Sequence, residues 1–163
     1  MASRFIFLIA AKNSLFTTLS STTRSLKIDD RDDEVVLLTD TIDFISGLPT
    51  YTIYAVKSTL EESLAADLIL LLIDCSEHET EDIRIKYSSC WDVLDELKVD
   101  RSKVFVILSK SDRTKPERID DIANALGISD PIVISSKTGY GIHKLKTMIG
   151  SHLINLAIDI SKS

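Results

Sequence analysis

Residues 68–73 form the aliphatic run Leu68-Ile69-Leu70-Leu71-Leu72-Ile73, which leads directly to the carboxylate of Asp74. A run without polar alternation is typical of a parallel strand that is covered on both faces of its sheet. Val104–Leu108 and Pro131–Ile134 repeat this pattern. The run therefore predicts an interior strand of a parallel sheet, with two further strands of the same kind later in the chain.

Amphipathic helices are predicted between and after these strands. Their apolar residues recur at three- and four-residue spacing, and Gly127 is placed to end the second helix. Alternating strands and helices predict an α/β, doubly wound sheet, in which ligands bind outside the carboxyl ends of the strands. The three predicted apolar faces are Ile83, Tyr87, Cys90, Trp91, Leu94 and Leu97; Ile119, Ile122, Ala123 and Leu126; and Ile142, Leu145, Ile149, Leu153, Leu156 and Ile160.

The N-terminal part predicts a buried strand, a loop and a hairpin. Arg4–Ala10 is an apolar strand candidate that is too short to cross a bilayer. The hydroxyl-rich segment Ser14–Ser25 has no strand or helix period and predicts a loop. Strand-like residues at Leu26–Ile28 and Val35–Thr39 flank an acidic segment, which predicts a solvated hairpin turn.

Composition limits the class of protein. The chain has 163 residues, a hydrophobic share of 44% and a net charge of −6, which suits one domain and predicts neither direct DNA binding nor membrane association. Cys75 and Cys90 are too few for a disulfide framework, so we expect a reducing, cytoplasmic location.

Polar clusters follow three of the predicted strands, where the fold rule places a ligand. The cluster after Val35–Thr39 begins at Asp40, the one after Val104–Leu108 is Ser109-Lys110-Ser111-Asp112, and the last begins Ser135-Ser136-Lys137. Because the second and third clusters each follow a predicted parallel strand, we expect them to lie close together at one edge of the sheet.

Three segments resemble the G domain of HflX-type translational GTPases, of an archaeal kind. Residues 15–24, LFTTLSSTTR, resemble the first switch of that family, FATLDPTTR, and residues 38–49, LTDTIDFISGLP, resemble the second, LLTDTVGFISDLP. Residues 57–62, KSTLEE, followed by Ala66-Asp67-Leu68, are also similar. The resemblance implies a Ras-like G domain of the P-loop NTPase type, with GTP or GDP as ligand, Mg²⁺ as cofactor and the large ribosomal subunit as partner.

The resemblance assigns base recognition to the second and third clusters. It implies that Asp112 accepts hydrogen bonds from the guanine ring edge and that Lys110 lays its aliphatic stem over the base. Ser135 and the backbone amide of Ser136 would frame the base, with Ser109 and Lys137 as further contacts. Ser109 stands where the family has Asn or Thr.

The resemblance assigns magnesium and phosphate to the switch segments. Thr18 corresponds to the threonine that closes on Mg²⁺, and Asp40 to the acid that holds the ion through water. Thr41 and Asp43 belong to the same nucleotide-binding set. Asp43 stands where the family has glycine, and a carboxylate there would repel a triphosphate. No residue is assigned a catalytic role.

The phosphate half of the site is predicted to be missing. A phosphate loop needs glycine for close backbone approach and a lysine for the terminal phosphates, yet the first glycine is Gly47. We therefore expect a single degenerate G domain over residues 1–163, with a divergent strand in 1–13, an HflX-like region in 14–157, and neither phosphate loop nor first helix. GTP hydrolysis is expected to be weak or absent.

Two other hypotheses remain open at this point. The chain is a non-catalytic pseudo-GTPase that serves as an interaction module, or it is the product of a truncated gene. Loss of the first helix would uncover an apolar strip of the sheet, which predicts a protein partner or self-association there.

Overall fold

A six-stranded, mostly parallel sheet forms the centre of the fold in a computed structural model, which describes residues 4–11, 22–26, 36–40 and 65–161. The strands are β1 (Arg4–Ala11), β2 (Thr22–Leu26), β3 (Val36–Asp40), β4 (Leu68–Asp74), β5 (Val104–Ser109) and β6 (Ile132–Val133). The helices are α1 (Thr80–Glu96), α2 (Pro116–Ala125) and α3 (Ile142–Ser161). Two short 3₁₀ turns cover Arg101–Lys103 and Ser111–Arg113.

The strand order is β2-β3-β1-β4-β5-β6. Among the described strands, only β2 runs antiparallel to its neighbour, whereas β3, β1, β4, β5 and β6 are parallel to one another. The carboxyl ends of these five strands therefore meet along one edge of the sheet. This arrangement confirms the predicted α/β class.

Helices pack on both faces of the sheet, as the unalternating strands predict. On one face, α1 and α2 cover residues such as Ile69 and Leu71, both at 1% exposure or less. On the other face, α3 places Ile149 and Leu153 over Leu68 and its neighbours. Burial on both sides explains why residues 68–73 have no polar alternation.

The prediction for the second strand is wrong in its boundaries. Thr22–Leu26 forms β2, so the strand starts inside the segment predicted as a loop and before the predicted Leu26–Ile28. The hydroxyls of Thr23 and Thr39 lie 2.9 Å apart across the β2–β3 pair. Pairing with β3 stabilises this strand, because its own sequence lacks the apolar alternation that would predict a strand. Residues 12–21 and 27–35 lie outside the described part of the chain.

The face that α3 covers is less closed at the carboxyl ends of β1, β3 and β4. Leu8, Ala10, Leu38 and Leu72 are only partly buried there, whereas Ile6, Val36 and Leu70 are buried toward the opposite end of the same strands.

Within the described ranges, no helix is long and apolar enough to span a membrane.

Candidate functional site

The end of β5 turns sharply to present Asp112. Lys110 adopts a left-handed backbone conformation, with φ 60° and ψ 37°, and the 3₁₀ turn Ser111–Arg113 follows. The hydroxyl of Ser109 donates to the carbonyl oxygen of Ile73 at 3.0 Å, and the amide of Ser111 donates to the carbonyl oxygen of Ile134 at 3.2 Å. These bonds tie the turn to both neighbouring strands.

The end of β6 forms a tight loop around Ser135, which is fully buried. The amide of Ser135 donates to the carbonyl of Tyr140 at 3.0 Å, and the amide of Gly139 donates to the carbonyl of Ser135 at 2.9 Å. The amide of Thr138 donates to Ser135 Oγ at 3.2 Å. The loop therefore fixes the position of the Ser135 hydroxyl before any ligand arrives.

The two loops meet through Ser135 and Asp112. Ser135 Oγ donates to Asp112 Oδ1 at 2.6 Å, and this hydrogen bond lowers the pKa of the Asp112 carboxyl. Asp112 is exposed, so its remaining oxygen can accept from a ligand. Ser136 and Lys137 follow on the exposed side of the same loop. Ser109, Lys110, Asp112, Ser135, Ser136 and Lys137 thus come together at the ends of β5 and β6, as the sequence predicts.

Asp74 joins this cluster although the sequence analysis does not assign it a role. Its Oδ2 is paired with the ammonium of Lys110, and its Oδ1 accepts from the amide and hydroxyl of Ser76 at 2.9 and 2.6 Å. The position of Asp74, directly after the most apolar strand, is the signal that could have identified it. Asp74 and Ser109 are in register on adjacent strands, which brings Lys110 within reach.

Three of the cavities in the described part of the chain lie at the carboxyl edge of the sheet. The first, of about 170 Å³, lies at the carboxyl ends of β1, β4 and β5 and is lined in part by Ala10, Leu72, Lys110 and Ser136. A larger cavity of about 430 Å³ lies beside Asp112, against Pro116 and Ile119 of α2. The third, of about 260 Å³, is lined by Leu8, Thr22, Arg24, Leu38 and Asp40.

Asp40 is the predicted magnesium residue that the structure describes. It is exposed at the end of β3, separated by β1 and β4 from the strand that leads to Asp112. Thr18, Thr41 and Asp43, the other predicted switch residues, lie outside the described residues. In the described ranges, no three His, Cys, Asp or Glu side chains converge to hold a metal ion. This partial set provides no basis for a step that involves Mg²⁺.

The sheet order and the site at its carboxyl edge define a Ras-like G domain. Solved structures with this fold include the SsGBP–GDP complex, with TM-score 0.68, 24% identity and coverage of 99% of this chain and 52% of that one. The G domain of T. maritima FeoB has TM-score 0.63 and 17% identity, with coverage of 93% and 99% respectively. At these identities the likeness shows the fold.

Curated relatives identify the family. GTPase HflX of Methanocaldococcus jannaschii is 37% identical over 150 residues, which is 91% of this chain and 36% of that protein. GTPase HflX of Thermococcus kodakarensis is 39% identical over 140 residues, or 80% of this chain and 31% of that protein. No protein-family profile matches the chain. The chain belongs to the HflX family and spans about a third of the length of these relatives.

Proposed function

We propose that this chain binds guanine nucleotides chiefly through the base and hydrolyses GTP weakly or not at all. The hydrogen bond from Ser135 Oγ to Asp112 Oδ1 is the observation that carries the proposal. It holds a lowered-pKa carboxylate at the edge of the sheet, where an ionised acceptor can take two N–H groups from guanine. Adenine presents a different donor pattern there and would bind less well.

The incomplete phosphate site is supported by the length of one connection. β1 ends at Ala11 and β2 begins at Thr22, and none of the ten intervening residues is glycine. A phosphate loop of roughly eight residues and a helix of average length, about 11, would need nearly twice that number. Loss of three charge-assisted phosphate contacts would remove at least ~4.5 kcal/mol, or about a thousandfold in affinity.

Binding measurements test both halves of the proposal. Calorimetric titration with guanosine, GDP and a non-hydrolysable GTP analogue, with Mg²⁺ present, should give weak affinities that agree within about tenfold, because the phosphates add little. Adenosine and ADP are the matched controls. A micromolar or tighter affinity for GDP, or an affinity for GDP far higher than that for guanosine, would contradict the proposal that the phosphate half of the site is missing.

Asp112→Asn tests the base site directly. The substitution replaces one acceptor oxygen with a donor while keeping the side-chain shape, so the preference for guanosine over adenosine should disappear. An unchanged preference would show that Asp112 does not recognise the base.

The non-catalytic interaction module is the second candidate, supported by the partly buried apolar side chains Leu8, Ala10, Leu38 and Leu72. This strip of the sheet would bind a protein partner or a second copy of the chain. Light scattering across a concentration series tests self-association. Absence of any nucleotide binding, together with a dimer that Leu38→Ser disrupts, would favour this function over the first.

We further propose three properties that membership of the HflX family supports. These are association with the ribosome, Mg²⁺ binding by Thr18 and Asp40, and nucleotide contacts by Thr41 and Asp43. Two further properties are predictions from the sequence. They are a single degenerate G domain over residues 1–163, with 1–13 and 14–157 as its parts, and a cytoplasmic location.

A further inference from the structure

Lys110 is held by a carboxylate that no sequence motif points to. Its ammonium is paired with Asp74 Oδ2, and both residues line the cavity of about 170 Å³ at the ends of β1, β4 and β5. The side chain of Lys110 is 46% exposed and that of Asp74 only 15%. A half-exposed lysine has many rotamers, so one buried partner decides where its stem lies.

We infer that Asp74 is a positioning residue for base recognition: it holds the ammonium of Lys110 so that the lysine stem forms one wall of the purine site. This inference rests on the proposed function. A wall that is in place before the ligand arrives removes part of the ordering cost of binding.

The Asp74 carboxylate is itself fixed in orientation. Ser76 donates to Oδ1 through both its amide and its hydroxyl, which leaves Oδ2 for Lys110. Burial alone would raise the pKa of Asp74, but the hydrogen bonds from Lys110 and Ser76 outweigh it and lower the pKa. The carboxylate therefore stays ionised and paired at neutral pH.

The segment that carries Asp74 is anchored on two sides. The amide of Cys75 donates to the carbonyl of Ser109 at 3.1 Å. The guanidinium of Arg118, on α2, donates to the carbonyl oxygens of Glu77 and His78 at 2.6 and 2.7 Å. Asp74 is thus tied both to the strand that leads to Lys110 and to a helix that lines the larger cavity.

A double-mutant cycle tests whether Asp74 acts through Lys110. Guanosine affinity is measured by calorimetry for the wild type, Asp74→Asn, Lys110→Met and the double variant. We expect Asp74→Asn to weaken binding about three- to tenfold in the wild type and to have no further effect beside Lys110→Met. Asp95→Asn is the matched control, because Asp95 pairs with Arg101 on the surface and its loss should leave guanosine binding unchanged.

The outcomes separate this inference from the proposed function. Failure of the wild type to bind guanosine at millimolar concentration overturns the proposed function and this inference with it. Two results would overturn this inference alone. Either Asp74→Asn leaves the guanosine affinity of the wild type unchanged, or it lowers the affinity equally in the wild type and in the Lys110→Met variant.

Lys110→Arg provides a second variant if Asp74→Asn lowers the thermal midpoint below the assay temperature. Arginine keeps the pairing with Asp74, whereas methionine keeps only an apolar stem. We expect Lys110→Arg to bind guanosine at least threefold better than Lys110→Met. Equal affinities would show that the ion pair does not position the wall.

Discussion

The hydroxyl of Ser135 donates to the carboxylate of Asp112 at 2.6 Å, across 23 residues of sequence. Ser135 is fully buried and Asp112 is exposed, so a fixed group in the protein interior orients a group at the surface. Because the bond favours the ionised carboxylate, it lowers the pKa of Asp112. The charge state of the exposed Asp112 carboxylate therefore depends on the buried hydroxyl of Ser135.

Ser135→Ala should raise the pKa of Asp112 toward its ordinary value. A lowered pKa keeps the carboxylate ionised as the pH falls, and protonation follows once the pH passes through that value. Without the serine, Asp112 should protonate at a higher pH, and guanosine binding should be lost at that higher pH too. Side-chain carboxyl NMR across a pH series measures the midpoint, with the exposed neighbour Ser136→Ala as control. Equal midpoints for Ser135→Ala and the wild type would contradict this prediction.

Gly141→Ala should destabilise the fold more than Gly139→Ala. Both glycines have positive φ, 70° and 80°, which costs an alanine about 1 kcal/mol. At Gly139 an added Cβ would meet open space, whereas at Gly141 it would fall on the carbonyl oxygen of Val133. The loop that holds Ser135 must then shift, and we expect a total loss of about 3 kcal/mol.

Urea unfolding of the two glycine variants measures this difference. Gly139→Ala is the internal control, because it shares the backbone strain and lacks the clash. Equal losses of unfolding free energy would mean that the close approach of Gly141 to Val133 does not constrain the loop.

Glu77→Gln should destabilise the protein more than Lys86→Met. The ion pair between them is unequally buried, with Lys86 5% exposed and Glu77 18% exposed. Removal of the glutamate charge leaves the buried ammonium without a counter-ion, facing only a neutral amide, at a cost of about 3 kcal/mol. Lys86→Met leaves a carboxylate with some access to water, and we expect a loss of about 1 kcal/mol.

Chemical denaturation of the two ion-pair variants gives the comparison, and the double variant reports their coupling. A larger loss for Lys86→Met than for Glu77→Gln would show that the glutamate, not the lysine, is the poorly solvated partner.

Cys75 and Cys90 should resist thiol reagents in the native protein. Burial raises the pKa of each thiol to about 12, with the charge of Asp74 adding to the shift at Cys75. At pH 8 almost no thiolate is present, and the thiolate is the reactive form. Titration with a chromogenic disulfide should label neither cysteine in the folded protein and both in denaturant. Rapid labelling without denaturant would show that one of these sites opens readily.

The sequence predicts the central strands well because their burial is local and repetitive. The apolar run Leu68–Ile73 predicts the strand that spans Leu68–Asp74 in the structure, and Gly127 ends the second helix region with φ 69°, as expected. The sequence places the second strand at Leu26–Ile28, whereas the structure has it at Thr22–Leu26. Its hydroxyl-rich residues have no apolar period, and pairing with β3 keeps them extended.

The resemblance of the sequence to the HflX family assigns base recognition to the second and third clusters, and the structure brings Asp112 and Ser135 of these clusters into hydrogen-bond contact. The pairing of Asp74 with Lys110 and the anchoring of its loop by Arg118 were decided by tertiary structure alone. The reason is physical: an apolar period is set within one segment, whereas contacts between strand ends depend on which strands are neighbours and in what register. Asp74 meets Ser109 and Lys110 only because β4 and β5 lie side by side in parallel.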